Sequence, residues 1–321
     1  MKRILVLGGS GFIGSHLCEK ATQLNCRVTV PTRHMENAKA VALLPWVDVI
    51  EADIHDEMDL THLVRGHDAV VNLVAILHGD AAAFDHVHVT LVQKLARACQ
   101  GGKVKHLVHV SALGAAADAP SLYQRSKAEG EAVLAASPLR STILRPSVVF
   151  GAQDRFLNLF AKLQAIFPVM PLAGAATRFQ PVWVQDVAQA IVNRLKGVNR
   201  LQPSGSIAAG PVFEACGPEV FTLRELVQLA GRLSGNPRPV VALPDMLARL
   251  QASVMQNLPG EPLLSRDSLA SLRVDNVASG VLPGLNELGV RPGSLLAIAP
   301  TYLRPGARDP LLALRRLSGR L

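Results

Sequence analysis

Apolar residues in the first half of the chain fall into short runs separated by stretches of helical spacing. Ile4 to Leu7 is an apolar run followed at once by glycines, and Phe12 to Leu24 then carries apolar positions at helical intervals. Arg27 to Pro31 and Val47 to Glu51 read as the next strands, the latter closed by Ala52-Asp53. Ala69 to Leu77 is a nearly continuous apolar run, as expected of a central strand buried on both faces. His106 to Ser111 and Ser141 to Val149 are further strands. Helical spacing fills the intervals around Glu36 to Leu44, Asp59 to Arg65, Phe84 to Gln100 and Ser121 to Ala136, with Gly101-Gly102 as a stop signal. Strict alternation of β and α elements predicts an α/β fold with a doubly wound parallel sheet. After about Gly151 the rhythm loosens and prolines become frequent. The expected organisation is one domain over 1–150, then over 151–321 a mixed stretch that returns to the sheet and adds a smaller C-terminal lobe facing a substrate or partner.

Composition fits this picture. Of 321 residues, 49% are hydrophobic and 18% charged, so a large core is easily built, and with only 4% aromatic that core is mainly Leu, Val, Ala and Ile. The net charge of +8 comes from basic residues spread along the chain. They form a solvated surface or attract an anionic lipid or nucleotide phosphate. Nucleic acid is not an expected partner: no binding motif is present, and two Tyr and two Trp offer few stacking platforms. Cys18, Cys26, Cys99 and Cys216 are widely spaced without a CxxC pair, which argues against metal and disulfide frameworks and fits a reducing compartment. The opening apolar run is too brief for a signal peptide, and no window supplies the roughly 18 apolar residues of a membrane span. A cytoplasmic protein, soluble or peripheral at a membrane, is expected.

The first strand runs straight into Gly8-Gly9-Ser10-Gly11-Phe12-Ile13-Gly14, which opens a helix. Each glycine of the 8, 11, 14 pattern has a mechanical use: a tight turn off the strand, close approach of backbone to a pyrophosphate, and tight helix–strand packing. The helix start then offers free N–H groups and the positive end of its dipole. In this context the motif predicts a Rossmann dinucleotide site, with Gly8, Gly11, Phe12, Ile13 and Gly14 against the cofactor. The second strand ends Val28-Thr29-Val30-Pro31-Thr32-Arg33, with no acid until Glu36. An acid there would bind ribose hydroxyls, whereas Arg33 suits a 2′-phosphate, so NADP(H) is expected over NAD(H). Asp53, after the third strand, either meets the adenine or caps the next helix.

Tyr123-Gln124-Arg125-Ser126-Lys127 is a YxxxK pair, which a helix places on one face. A nearby ammonium lowers the phenol pKa so that tyrosine can exchange a proton with a carbonyl or alcohol, while the lysine also holds the nicotinamide ribose. Ser111, at the end of the preceding strand, can orient the substrate oxygen. Ser111, Tyr123 and Lys127 are the candidate catalytic residues, with Tyr123 and Lys127 also contacting cofactor.

These segments, together with Leu144-Arg-Pro-Ser-Val-Val-Phe-Gly151 and Phe179-Gln-Pro-Val-Trp-Val-Gln-Asp-Val-Ala188, resemble the extended and atypical short-chain dehydrogenases/reductases. Phe150-Gly-Ala-Gln-Asp-Arg-Phe-Leu-Asn158 and Leu258-Pro-Gly-Glu-Pro-Leu-Leu-Ser-Arg266 are similar to the branch of the nucleotide-binding accessory subunit of respiratory complex I and its bacterial relatives. The resemblance covers most of the chain and is weakest beyond about 290. It implies NADP(H) at the first strand–helix turn, Arg145 and Asp186 near the pocket or in packing roles, and a segment around Pro181 to Val187 beside the site. Within that branch some members are non-turning-over or assembly subunits of NADH:quinone oxidoreductase, and others are linked to ubiquinone biosynthesis.

Three functions follow in order. The first is an NADP(H)-dependent oxidoreductase acting on an apolar, quinone- or isoprenoid-related small molecule. The second is a nucleotide-holding accessory or assembly subunit of a respiratory or quinone-making complex. A sugar-nucleotide epimerase comes last. Met246, Leu247, Leu250, Val254 and Leu258 fall at helical intervals, and Leu311 to Leu321 is short, apolar and basic. Core packing or a frayed tail would explain these segments; peripheral association with the inner face of a respiratory membrane is the expectation drawn from them.

Overall fold

A computed structural model describes residues 2–197, 210–244, 246–248, 251 and 265–305. The described residues of Pro244 to Leu258 include Met246 and Leu247, both exposed, whereas Leu250, Val254, Leu258 and the whole of Leu311 to Leu321 lie outside them.

The chain begins β1 (Arg3–Leu7), α1 (Phe12–Thr22), β2 (Arg27–Thr32), a 3₁₀ turn (Met35–Ala38) with the short α2 (Lys39–Ala42), and β3 (Val47–Glu51). It continues with α3 (Glu57–Val64), β4 (Ala69–Asn72), α4 (Ala81–Asp85), a π-helical turn (His86–Thr90), α5 (Leu91–Gly101), β5 (His106–Val110), α6 (Leu122–Ala135) and β6 (Ser141–Pro146). After β7 (Val149–Phe150), α7 (Leu157–Ile166), β8 (Met170–Leu172), β9 (Arg178–Phe179) and β10 (Val182–Trp183) come α8 (Val184–Lys196) and β11 (Val212–Ala215). Next follow β12 (Phe221–Thr222), α9 (Leu223–Leu233) and β13 (Val240–Ala242).

Two compact units result. The first takes the described residues of 1–146, 184–215 and 278–291, the second those of 147–183, 216–277 and 292–321. In the first, seven strands pair in the order β11-β6-β5-β4-β1-β2-β3, every pair parallel. This is the doubly wound sheet, and its order reverses between β1 and β4, where α/β sheets open a crevice at the strand ends. Alternate strand residues Leu5, Leu7, Val70, Leu107 and Ile143 pack with Leu60 and Val64 of α3, Leu91, Leu95 and Cys99 of α5, and Leu134 of α6. Helices α1 and α8 pack together elsewhere in this unit. Burying both faces explains why these strands read as apolar runs rather than alternating ones.

The second unit holds three short strand pairs, β7 with β10, β8 with β13 and β9 with β12. Its core is where the aromatic residues concentrate: Phe150 and Leu157 are buried among Phe156, Phe160, Phe179 and Trp183. A reciprocal Thr222–Glu225 capping box starts α9.

Three expected elements differ in an informative way. The apolar run from Ala69 leaves the sheet at Asn72, whose side-chain Oδ1 accepts the Val74 N–H, and Leu77 beyond it is 60% exposed. Side-chain competition for backbone donors ends the strand before hydrophobicity does. The helix expected over Phe84 to Gln100 begins earlier, at the Asp80 cap, and is interrupted by the π-turn. The helix expected over Glu36 to Leu44 shrinks to the 3₁₀ turn and α2. Among the described residues no helix is long and apolar enough to cross a membrane.

Candidate dinucleotide site

The residues of the glycine turn behave as their spacing demands. Gly8 adopts φ +78°, a conformation that side chains disfavour. A Cβ on Gly14 would stand 2.3 Å from the Gly8 carbonyl oxygen, so α1 packs on the turn only because that atom is absent. One on Gly9 would stand 2.7 Å from a Val30 methyl, fixing the turn against β2. Gly11 is the exposed N-cap of α1, and no side chain caps the first turn. By contrast Asp56, Ser121 and Thr222 cap α3, α6 and α9. An uncapped helix start beside a glycine turn at the sheet's switch point fits a pyrophosphate. Phe12 and Ile13 are half-buried in that first turn, the Phe12 ring standing edge-on to His16 at 5.8 Å.

Arg33 lies exposed just past β2. It is close enough to His55 to help depress that imidazole, behind burial and His86 as causes, so it shares a neighbourhood with the loop after β3. In that loop Asp53 accepts the His55 N–H at 3.0 Å, an Asx turn, and it is Asp56 that caps α3, accepting from Met58 and Asp59. Of the two roles weighed for Asp53, the cap is therefore taken by another residue. His34, Met35, Glu36, Asn37 and Glu51 line an open depression beside Arg33, adding two carboxylates to its surroundings.

The Tyr–Lys pair sits on α6, started by Ser121, whose hydroxyl accepts the Gln124 N–H at 3.1 Å. Lys127 is 1% exposed, and its ammonium donates to the Val110 carbonyl at 2.9 Å, at the C-terminal end of β5. Ser111 is the next residue; it is buried, and its Oγ has no hydrogen-bond partner among the described residues. The structure thus brings Lys127 and Ser111 to the same strand end. A buried, unanswered hydroxyl there is what a site shaped for a bound oxygen would show. Tyr123 is half-buried, with its ring edge-on to Phe84 at 6.2 Å and to His88 at 5.6 Å. Burial pushes its phenol up to about 12 rather than down, and brings the Lys127 ammonium down to about 8 against the opposing pull of Glu131. The acidified phenol expected from the pairing is not the state of the free protein, because burial raises the phenol instead.

Three polar residues around this pair escaped the sequence reading. His88, on the π-turn, accepts the Ile76 N–H at Nε2 (3.2 Å), so its Nδ1–H faces Ser126 Oγ at 2.8 Å, and Ser126 in turn donates to the Tyr123 carbonyl. Burial and Lys127 bring it down to about 3, so it is neutral. Asn72 and His109 pair in register on β4 and β5 and join at 3.1 Å through Nδ1. Asn72 Oδ1 is already occupied by Val74, so His109 holds its proton on Nε2, which has no partner among the described residues. The available signal was a polar residue at matching positions near the ends of two apolar runs.

Arg145 and Asp186 are both accounted for within the first unit. Arg145 forks onto Glu131 of α6, its Nε donating to Oε1 at 2.9 Å and Nη2 to Oε2. Asp186 is buried in the first turn of α8.

Comparison with known proteins agrees with this geometry. The NAD(P)H-binding family matches residues 8–156. The chain is 31% identical over 314 residues to the mitochondrial NADH dehydrogenase (ubiquinone) 1 alpha subcomplex subunit 9 of Arabidopsis thaliana, covering 93% of this chain and 76% of that one. It is 26% identical to the mitochondrial NADH-ubiquinone oxidoreductase 40 kDa subunit of Neurospora crassa, covering 93% and 78%. Among solved structures, a dTDP-glucose 4,6-dehydratase of Streptomyces venezuelae with NAD bound shares the fold at a TM-score of 0.69 and 23% identity, covering 94% and 95%. An uncapped glycine turn on a seven-stranded parallel sheet and a match along nearly the whole chain lead to one assignment: the protein belongs to the NAD(P)-binding, short-chain dehydrogenase-like family that includes the alpha subcomplex subunit 9 of NADH dehydrogenase (ubiquinone).

Proposed function

We propose that this protein is an NADP(H)-dependent oxidoreductase acting on an apolar, quinone- or isoprenoid-related carbonyl compound. The observation that carries the reading is the Ser111 hydroxyl, buried and unanswered beside the carbonyl that holds Lys127. The backbone N–H groups of the Gly8–Gly14 turn would hold the pyrophosphate, Arg33 the 2′-phosphate, Asp53 the adenine edge, and Tyr123 with Lys127 the nicotinamide ribose. When bound, the nucleotide supplies or accepts a hydride. Ser111 Oγ donates to the substrate oxygen and orients it. Tyr123 passes its phenolic proton to that oxygen as charge develops, and the Lys127 ammonium stabilises the phenolate left behind. The phenol carries its proton at neutral pH, and the Lys127 ammonium beside the developing phenolate offsets the cost of giving that proton up once burial has raised it to about 12.

Turnover of NADPH with decylubiquinone as the acceptor tests the reading. Tyr123→Phe is expected to lower the rate by roughly 10²-fold or more while weakening NADPH binding by no more than about tenfold, the loss of one ribose hydrogen bond. Equal loss of both, or no loss of rate, would count against proton transfer. Cofactor preference is tested separately: Arg33→Ala should weaken NADPH binding about tenfold and leave NADH binding unchanged.

A second reading is a nucleotide-holding accessory subunit of an NADH:quinone oxidoreductase. It is supported by relatives that carry that subunit name and match 93% of the chain. Co-purification with such a complex, with function intact in Tyr123→Phe, would favour it.

A further inference from the structure

The Tyr123–Lys127 stripe of α6 continues one helical turn further to Glu131, which is buried, and the bidentate guanidinium fork of Arg145 on β6 holds that carboxylate in place. Arg145 in turn feels Glu214, its register partner on β11, which is buried and accepts the N–H and hydroxyl of Ser279. A file of alternating charges therefore runs from β11 through β6 into α6 and ends at Lys127. A buried carboxylate already held by a bidentate fork has no structural need of a lysine, yet Glu131 is the group that opposes the fall of the Lys127 ammonium. From the other sides, among the described residues, Lys127 faces neutral groups. His88 comes from the π-turn and His109 from β5, both discharged by burial, and Tyr123 comes from its own helix.

We infer that Glu131, gripped by Arg145, is the positioning residue that keeps Lys127 charged and aimed at the end of β5, and that it thereby sets the pH range over which the protein holds its nucleotide. The inference rests on the reading of Lys127 as a cofactor contact. Arg145 has two effects: it prevents Glu131 from swinging away, and it offsets part of the carboxylate's field, so that Lys127 titrates within reach of physiological pH rather than far above it. A carboxylate alone at this place would lock the lysine in the charged state; a fork alone would leave it to discharge on burial.

The test measures NADPH affinity by fluorescence from pH 6.5 to 10 in the whole protein. Alongside it, the pH at which Lys127 becomes reactive to trace acetylation is read by mass spectrometry with and without nucleotide. The wild type is expected to lose affinity with a midpoint near pH 8, and Lys127→Met to abolish that midpoint. Glu131→Gln keeps an acceptor for Arg145 and removes only the charge. It should move both midpoints toward acid by about one unit, a tenfold change in the proton equilibrium, with affinity at pH 6.5 unchanged. Should Glu131→Gln fail to fold, Glu131→Asp, which retains the charge but draws it in toward the helix backbone, is expected to give a smaller shift of the same sign. If Lys127→Met removes the wild-type midpoint while the Glu131 variants leave it in place, the inference is overturned and the cofactor reading stands. If the wild type shows no midpoint that depends on Lys127, both fail.

Discussion

At Gly14 a single added methyl would meet the Gly8 carbonyl at 2.3 Å and the Gly9 Cα at 2.6 Å, all of it backbone that cannot rotate away. Gly14→Ala should therefore cost about 1–3 kcal/mol in chemical denaturation, as overpacking does, and weaken NADPH binding more than tenfold by lifting α1 off the turn. Lys127 sets up a different expectation. Its folded value near 8 lies below its ordinary value of 10.5, so between those limits the unfolded chain binds more protons, and stability of the free protein rises as pH climbs from 8 toward 10. The buried ammonium is a penalty of roughly 3 kcal/mol below pH 8, relieved on deprotonation. Lys127→Met should flatten that rise in urea midpoints measured across the window; an unchanged slope would mean that another group titrates there.

Helix α6 carries Tyr123 and Lys127, and its start depends on one hydroxyl: Ser121 is fully buried, accepts the Gln124 N–H and donates to the Gln124 side chain. Ser121→Ala is expected to cost about 1 kcal/mol of stability in denaturant titration. At this scale most of the molecule was legible. Strands β1, β2, β3, β5 and β6, the glycine turn, and the span of α6 all follow from periodicity and cap signals that tertiary packing reinforces. What was not legible came from polar side chains acting on backbone. Asn72 ended β4 by taking the Val74 N–H, and an extra residue loosened the helix before α5 into a π-turn. Hydrophobic spacing carries no trace of either, because Val87, Val89, Leu91 and Val92 continue a plausible apolar pattern straight through it. The polar set of Asn72, His88, His109 and Glu131 escaped for the same reason: each sits in an element whose pattern is set by its neighbours.

For the whole molecule, ligand linkage gives the broadest check on the first unit. Nucleotide at a hundred times its Kd should stabilise the fold by about 2.7 kcal/mol, and at the same nucleotide concentration Gly14→Ala should gain no more than about 1.4 kcal/mol. The π-turn has a further consequence. The His88 carbonyl lies so near α6 that a methyl on Gly130 would stand 2.2 Å from it, and the His88 ring links the Ile76 loop to Ser126. Excising one codon from the turn, for instance that of Val87, would let the segment from Asp80 wind straight into α5 as an ordinary helix, the flanks staying in phase because a π-turn holds one added residue, while the side chains of the turn itself change direction. His88 would keep its place in the chain and lose both partners. A protein acquiring or losing this centre could thus do so by a one-residue insertion or deletion, a change that no substitution profile would record.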